Sequence, residues 1–337
     1  MTATPPDRIN VVDLFAGCGG FTQGFHEFVP EDGDRSPFRT IGAVEWDLAA
    51  ATTYAANYAT EAGGLRHIFA GDIKNWDPDE VQGEVDVILG GPPCQGFSGL
   101  GKEDPNDPRN RLWREYMKVV KRLQPKIFVI ENVDRFFRSS EYAALQVAAA
   151  NGDLKDYVLK SNHLVAADYG VPQTRKRAIV LATHRDLLKE HPDGVPLNRP
   201  QATHADPRKL DASLFTGSDA VATWVPVSTV FGVPGRPNTP EKPATTSLPD
   251  ARCDLLGKTV PGPFKTTDLH IGRNPTERSR LRYEDIPPGG NRHDIHPDRS
   301  TESWLKHRSG SHDVMGRLYL DRPSVTIRTE FYKPEKG

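Results

Sequence analysis

Cysteine is scarce: Cys18, Cys94 and Cys253 are the three in 337 residues. So few cannot staple a chain of this length, which points to a reducing, cytosolic compartment. No apolar run approaches the ~20 residues needed to span a bilayer. The opening segment MTATPPDRIN has neither the basic stretch nor the apolar core of a secretory signal. Aromatic residues make up 8% and hydrophobic residues 36% of the chain. That is too much for a disordered chain, yet little enough to leave room for long polar loops. A large net charge is also missing, at −2 overall. Secreted, membrane and fibrous classes are excluded, and the length predicts one large or two medium domains.

The neutral average hides an asymmetry. Residues 1–100 carry a net charge of −10, residues 101–270 carry +5 and residues 271–337 carry +3. A polyanion would prefer the second half, since phosphate contacts come from Lys and Arg. Ordinary drift of surface composition accounts for the same numbers equally well.

Up to about residue 185, short apolar runs alternate with helical patterns, as in a wound α/β sheet. INVVDLF (9–15), TIGAVE (40–45), VDVILG (85–90), KIFVIE (126–131) and RAIVLAT (177–183) read as buried strands. Leu112, Tyr116, Val119, Val120 and Leu123 form one helical face that ends before Pro125. A second helix is expected over 143–150. From about 186 the chain turns rich in Pro, Gly, Thr, His and Arg, as in PGRPNTPEKPATTSLPD and IPPGGNRHDIHPDRS. Stretches such as TWVPVSTVFG and RLYL read there as small strands, so an irregular second domain is expected rather than disorder. The final block, RPSVTIRTEFYKPEKG, begins like a strand.

Four short blocks carry chemistry. DLFAGCGG (13–20) follows a strand, where closely spaced glycines let the backbone turn sharply and approach a ligand. Glu45 ends the next strand, the position that bonds ribose hydroxyls in nucleotide-binding α/β folds, and Asp72 in GDI could meet an adenine amino group. The pyrophosphate fingerprint G-x-G-x-x-G is not matched, against a plain NAD enzyme. GGPPCQGFS (90–98) places Cys94 on a constrained loop at the carboxyl end of a strand; the flanking prolines and glycine shape a backbone rather than fill a core. ENV (131–133) puts Glu131 at the end of a buried strand, which suits a proton donor or a structural pair. QTRKR (173–177) sets Arg175 and Arg177 on one face of an extended chain, able to hold a phosphate or a base carbonyl, or simply to flank a strand.

In this order, DLFAGCGG, Glu45-Trp46, GDI, GPPCQGFS, DPRNRL (107–112), ENV, QTRKR and RPSVTI (322–327) resemble the successive motifs of the DNA (cytosine-5)-methyltransferases of bacterial modification type. The resemblance covers about two thirds of the chain. It implies an α/β, Rossmann-like sheet domain that uses S-adenosylmethionine, with S-adenosylhomocysteine as product and no metal, plus a smaller irregular target-recognition domain. The implied boundaries are 1–185 for the catalytic and cofactor domain, 186–316 for target recognition and 317–337 for the return to the catalytic part. The residues implied to contour the cofactor are the turn Phe15, Ala16, Gly17, Cys18, Gly19 and Gly20, together with Glu45, Trp46, Asp72, Ile73, Pro93 and Leu112. The thiols of Cys18 and Cys253 are expected to be structural.

By the same resemblance Cys94 is the nucleophile that adds to carbon 6 of a cytosine flipped out of double-stranded DNA. Glu131 protonates ring nitrogen 3, Arg177 holds the base carbonyl and Arg175 supports the pocket. Gln95, Ser98, Arg109 and Gln173 are implied DNA contacts, the loop 96–111 closing over the flipped base. The family's last, Asn-containing motif does not follow RPSVTI, so a C-terminal fragment or a second chain is expected to supply it. Two other readings stand beside this one: a DNA-binding part of a split enzyme, and a tRNA cytosine-5 methyltransferase.

Overall fold

A computed structural model describes residues 8–59, 65–93, 112–190, 193–209, 221–231, 250, 252–255, 258–261, 275–306 and 314–327. The chain divides into two units: Met1–Leu164, Arg177–Arg199 and Asp250–Phe264 form the first, and Val165–Lys176, Pro200–Pro249 and Lys265–Gly337 the second.

The sheet of the first unit is built from β1 (Ile9–Leu14), β2 (Phe38–Glu45), β3 (Ile68–Ala70), β4 (Val87–Gly90), β5 (Ile127–Val133), β6 (Tyr157–Val165) and β7 (Lys176–His184). Their order is β3-β2-β1-β4-β5-β7-β6. The pairs β2–β3, β1–β2, β1–β4 and β4–β5 are parallel, and β5–β7 is antiparallel. Helices α1 (Gly20–Glu27), α2 (Leu48–Tyr58), α3 (Leu112–Leu123), α4 (Ser140–Asn151) and α5 (Arg185–Glu190) fill the connections. Strand order reverses beside β1, which opens a crevice at the carboxyl ends of the parallel strands.

Strands covered on both faces read as near-continuous apolar runs, which is why β1, β4 and β5 stand out in the sequence. Val12, Leu14, Ile88, Phe128 and Ile130 pack against Tyr116, Val120 and Leu145 from α3 and α4. On the opposite face Val11, Leu89 and Val129 meet Phe21 and Phe25 of α1. Tyr116 is fully buried because its hydroxyl finds a partner, donating to the Val129 carbonyl at 2.9 Å. Its ring fixes the identity of Gly90. A Cβ there would lie 2.5 Å from Tyr116 Cε2 and 2.9 Å from the Leu14 carbonyl oxygen.

The helix read over 112–123 has those bounds, and the second extends to Ser140–Asn151. β5 runs past Glu131 to Val133, because Asn132 and Val133 pair with Ala178 and Arg177 of β7. Strand β6 gave no expectation; only its first residue, Tyr157, is buried, so it lacks the apolar run that marks the others.

A two-stranded antiparallel hairpin of β10 (Arg252–Leu255) and β11 (Lys258–Pro261) also belongs to the first unit. In the second unit β8 (His204–Ala205) and β9 (Ala222–Thr223) form a short parallel pair. Among the described residues the α-helices there are α6 (Ser228–Phe231), α7 (Glu277–Asp285) and α8 (Glu302–Lys306), beside three short 3₁₀ turns. Of the described residues of TWVPVSTVFG, only Thr223 is in a strand, as the end of β9, and Ser228–Phe231 fold into α6. RLYL and RPSVTI are not strands either, apart from one bridge between Ser324 and Gln173. Their backbone nevertheless serves as a spine. Val227 and Ser228 donate to the carbonyls of Arg322 and Leu320, Gly289 to Arg317, and Thr174 to Ser324. Each partner comes from a different loop, so no continuous ladder forms. A small apolar cluster of Ile286, Ile295 and Met315 completes this unit. Among the described residues no helix is long and apolar enough to cross a membrane.

Candidate active site

A cavity of about 600 Å³ lies at the carboxyl ends of β1–β4. Phe15, Glu45, Trp46, Asp72, Ile73, Pro93 and Leu112, all singled out in the sequence, line it together with Val44, Gly71, Lys74 and Gly91. Val44, Gly71 and Gly91 carry no chemistry of their own type and line the cavity through their place beside strand ends, whereas Lys74 adds a cationic donor that the sequence reading did not single out.

The turn after β1 reaches the cavity through Phe15, while Ala16 to Gly20 are not among the residues that line it. Phe15 and Gly17 have φ of 59° and 56°, and Gly19 has φ of 92° where it caps α1. A Cβ on Gly19 would overlap the Tyr58 ring and reach 3.0 Å from Tyr54. Glycine is therefore required there by both conformation and space. Glu45 holds the turn from the side: Gly17 N–H donates to Oε2 at 2.8 Å, and Asp47 N–H donates to Oε1 at 2.8 Å. Each carboxylate oxygen keeps acceptor capacity beyond that one bond. Asp47 then caps α2 by accepting from Ala50 N–H. Asp72 starts a short 3₁₀ turn, accepting from Lys74 N–H at 3.1 Å. Trp46 presents its indole outward and is 72% exposed. Cys18 is exposed at the surface; partial desolvation followed by the Glu45 charge raises its pKa, against a nucleophilic role.

The donor set suits a nucleoside-type ligand. Two carboxylates at the ends of adjacent strands accept from hydroxyl and amino groups, while Phe15, Trp46, Ile73 and Leu112 offer apolar surface to a flat ring. Among the described residues no cluster of metal-ligating side chains occurs.

Beside the cavity, on β5 and β7, Arg177 Nε donates to Glu131 Oε1 at 2.9 Å. Both side chains are about a quarter exposed or less, so the pair is accessible yet only partly screened. Gly91 lets the end of β4 pass close by, since a Cβ on it would sit 3.2 Å from Glu131 Oε2. Asn132, buried, donates from Nδ2 to the Pro92 carbonyl at 2.8 Å. This tie fastens the approach to Cys94. Nothing in the residue types foretold it, though Asn132 lies inside the ENV block.

Cys94, Gln95, Ser98 and Arg109, with the rest of the loop 96–111, lie outside the described residues. Gln173 and Arg175 belong to the second unit, whereas Arg177 belongs to the first. There the Arg175 carbonyl accepts from Ala166 N–H, and Gln173 bridges to Ser324.

A reversing parallel sheet with an antiparallel β7, and a nucleoside-type cavity at its switch point, defines a Rossmann-like α/β protein of the methyltransferase class. The profile of the C-5 cytosine-specific DNA methylases matches residues 9–221. The chain belongs to that family. It is similar to the type II methyltransferase M.DdeI of Desulfomicrobium norvegicum, with 35% identity over 228 residues covering 65% of this chain and 49% of that protein. It also resembles the type II methyltransferase M.NgoFVII of Neisseria gonorrhoeae, with 26% identity across 95% of this chain and 70% of the relative. Among solved structures, a prophage-encoded E. coli protein described as a candidate DNA modification methyltransferase superposes with a TM-score of 0.51 at 21% identity. That match covers 94% of this chain and 82% of the other. The aligned part spans about half the length of several of these curated relatives.

Proposed function

We propose that the protein is a sequence-specific DNA methyltransferase that transfers a methyl group from S-adenosylmethionine to carbon 5 of cytosine. The observation that carries this reading is the Glu131–Arg177 pair facing the approach to Cys94, which Asn132 ties down, beside a cavity of the right chemistry.

Glu45 would accept from the ribose hydroxyls and Asp72 from the adenine amino group, with Trp46 and Phe15 flanking the rings. When bound there, S-adenosylmethionine supplies an electrophilic methyl group. Cys94 needs its thiolate form, and a free thiol of pKa roughly 8.5 is only a few per cent ionised at neutral pH. Arg177, held next to the base by Glu131, adds the positive charge that favours it and binds the carbonyl of the cytosine. Cys94 bonds to carbon 6, and the electrons displaced onto the ring make carbon 5 nucleophilic. Glu131 stabilises that charge by protonating ring nitrogen 3, a role its position opposite Gly91 permits. After methylation, water takes the carbon 5 proton, the Cys94 sulfur leaves, and the nitrogen 3 proton returns to Glu131, which restores the ring.

A cytosine inside a duplex is out of reach of this set, so the base must leave the stack. Residues 186–316 are assigned to reading the target sequence in the major groove, and Gln95, Ser98, Arg109, Gln173 and Arg175 to contacts around the flipped base.

The test is transfer of labelled methyl from S-adenosylmethionine to unmodified duplex DNA, with Cys94→Ala and with tRNA as controls. Label on carbon 5 of DNA cytosine, lost in the variant, supports the reading. Label on tRNA alone, or label that persists in Cys94→Ala, overturns it.

A further inference from the structure

One buried acid has no part in the reaction as described. Asp13 is the penultimate residue of β1, two residues before Phe15 of the cavity, and is 1% exposed. Its Oδ2 accepts from the Thr22 hydroxyl at 2.7 Å, and Thr22 Oγ1 lies 2.9 Å from the Tyr54 hydroxyl. Thr22 has one hydroxyl proton and commits it to the carboxylate, so Tyr54 must be the donor of the second bond. The chain runs Tyr54 to Thr22 to Asp13, from α2 through α1 to β1. Among the described residues Oδ1 of Asp13 has no hydrogen-bond partner.

We propose that Asp13 is a positioning residue for the cofactor cavity, its ionised carboxylate anchoring the first turn of α1 and so the glycine turn that binds Glu45. This rests on the cofactor reading above. Thr22 lies in the first turn of α1, three residues after Gly19, which caps the helix, and five after Gly17, whose N–H donates to Glu45. A charged acceptor makes the Thr22 bond about twice as strong as a neutral one would. The partnerless Oδ1 is where a proton adds without breaking that geometry, so protonation weakens the anchor rather than rearranging it.

Charge state is finely set. Burial pushes the Asp13 pKa up to about 7, the Thr22 hydroxyl and backbone pull it down, and the Glu45 charge raises it further. Facing it from the packed elements are Thr22 on α1, Glu45 on β2, Tyr54 on α2 and Tyr116 on α3. Both tyrosines are held neutral by burial and by Asp13 itself. A cationic sulfonium ligand in the cavity would offset the repulsion from Glu45 and favour the ionised carboxyl. Binding then releases a proton, and affinity falls as pH drops below about 7.

The experiment is calorimetric titration of the full chain with S-adenosylmethionine at about pH 6 and about pH 8, in two buffers of different ionisation enthalpy. Parent protein is expected to bind roughly fivefold more weakly at the lower pH and to release protons near neutrality. Asp13→Asn is expected to bind weakly at both, with no proton release. Thr22→Val, which leaves the acid in place but removes the bond favouring its charge, moves the midpoint to higher pH. It tests the role of the charge independently of the Asn variant. Parent affinity that is independent of pH, or an unchanged midpoint in Thr22→Val, overturns the role of Asp13. Absence of binding by the parent at every pH overturns the cofactor reading itself.

Discussion

Asn132 donates its side-chain amide to the carbonyl of Pro92 at 2.8 Å, tying β5 to the segment that leads into Cys94. The neighbouring residue on the same strand, Glu131, turns to Arg177. One dipeptide thus sets two parts of the site: the Glu131 carboxyl and the approach to Cys94, the proposed nucleophile.

Asn132→Ala removes the tie and leaves the buried Pro92 carbonyl without that donor. A lost buried bond of about 1–2 kcal/mol corresponds to a fall in kcat of roughly tenfold. Cofactor affinity should hold, since no atom of Asn132 lines the cavity. Single-turnover kinetics with saturating cofactor would show it.

Glu131→Gln keeps the shape of the side chain but cannot alternate between carboxylate and carboxylic acid, so it neither pairs with Arg177 as an anion nor gives up a proton. Loss of general-acid assistance predicts a kcat lower by about 10²–10⁴. Arg177→Ala should lower kcat as well, and the double variant should cost less than the sum because the two groups act as one pair. Methyl transfer rates for the four proteins close the cycle.

Trp46 is 72% exposed yet lines the cavity, an arrangement with no stabilising value of its own. Trp46→Ala should therefore leave Tm within a degree or so while weakening cofactor binding by about 1–2 kcal/mol, the worth of a stacked aromatic. Thermal melts alongside titration calorimetry separate the two effects.

Gly90→Ala should destabilise the fold by about 1–3 kcal/mol, because the new methyl meets the Tyr116 ring and the Leu14 carbonyl. Denaturant unfolding would record a lower midpoint with an unchanged slope.

Asp13 makes stability depend on pH with a definite sign. Its folded pKa, about 7, lies above the ordinary carboxylate value of 3.8. The unfolded chain therefore gives up this proton first as pH rises. The contribution is complete below the unfolded pKa and disappears as pH climbs through about 7, on the order of 4 kcal/mol in all. Asp13→Asn should flatten that slope and melt higher than the parent at about pH 8. The same charge that weakens the fold is the one assigned to holding the cofactor turn, a local exchange of stability for function.

The sequence is legible where burial is two-sided. β1, β4 and β5 announce themselves as apolar runs, and α3 shows its buried stripe of Tyr116, Val119 and Val120. Strand β6 does not, since it is at the sheet edge with mostly half-buried residues and so carries no run to detect. TWVPVSTVFG misled for the opposite reason. Its Val and Trp content favours a strand locally, but after Thr223 the chain leaves β9, and Pro226, whose carbonyl accepts from the Thr229 hydroxyl, leads into α6. In the site, the strand-end acids Glu45 and Asp72 were readable from position. The ties of Asn132 to Pro92 and of Asp13 to Thr22 were not, because each joins residues brought together only by the fold.

The central claim is that Cys94 becomes bonded to carbon 6 of the target base. Its most direct test is incubation of the protein with S-adenosylmethionine and duplex DNA containing 5-fluorocytosine, followed by denaturing electrophoresis and peptide mapping. Fluorine at carbon 5 cannot leave as a proton does, so the adduct should persist. The account predicts a denaturation-stable complex that needs the cofactor, maps to the peptide containing Cys94 and is absent in Cys94→Ala. A stable complex mapping to Cys18 or Cys253, or methylated DNA from Cys94→Ala, would contradict it.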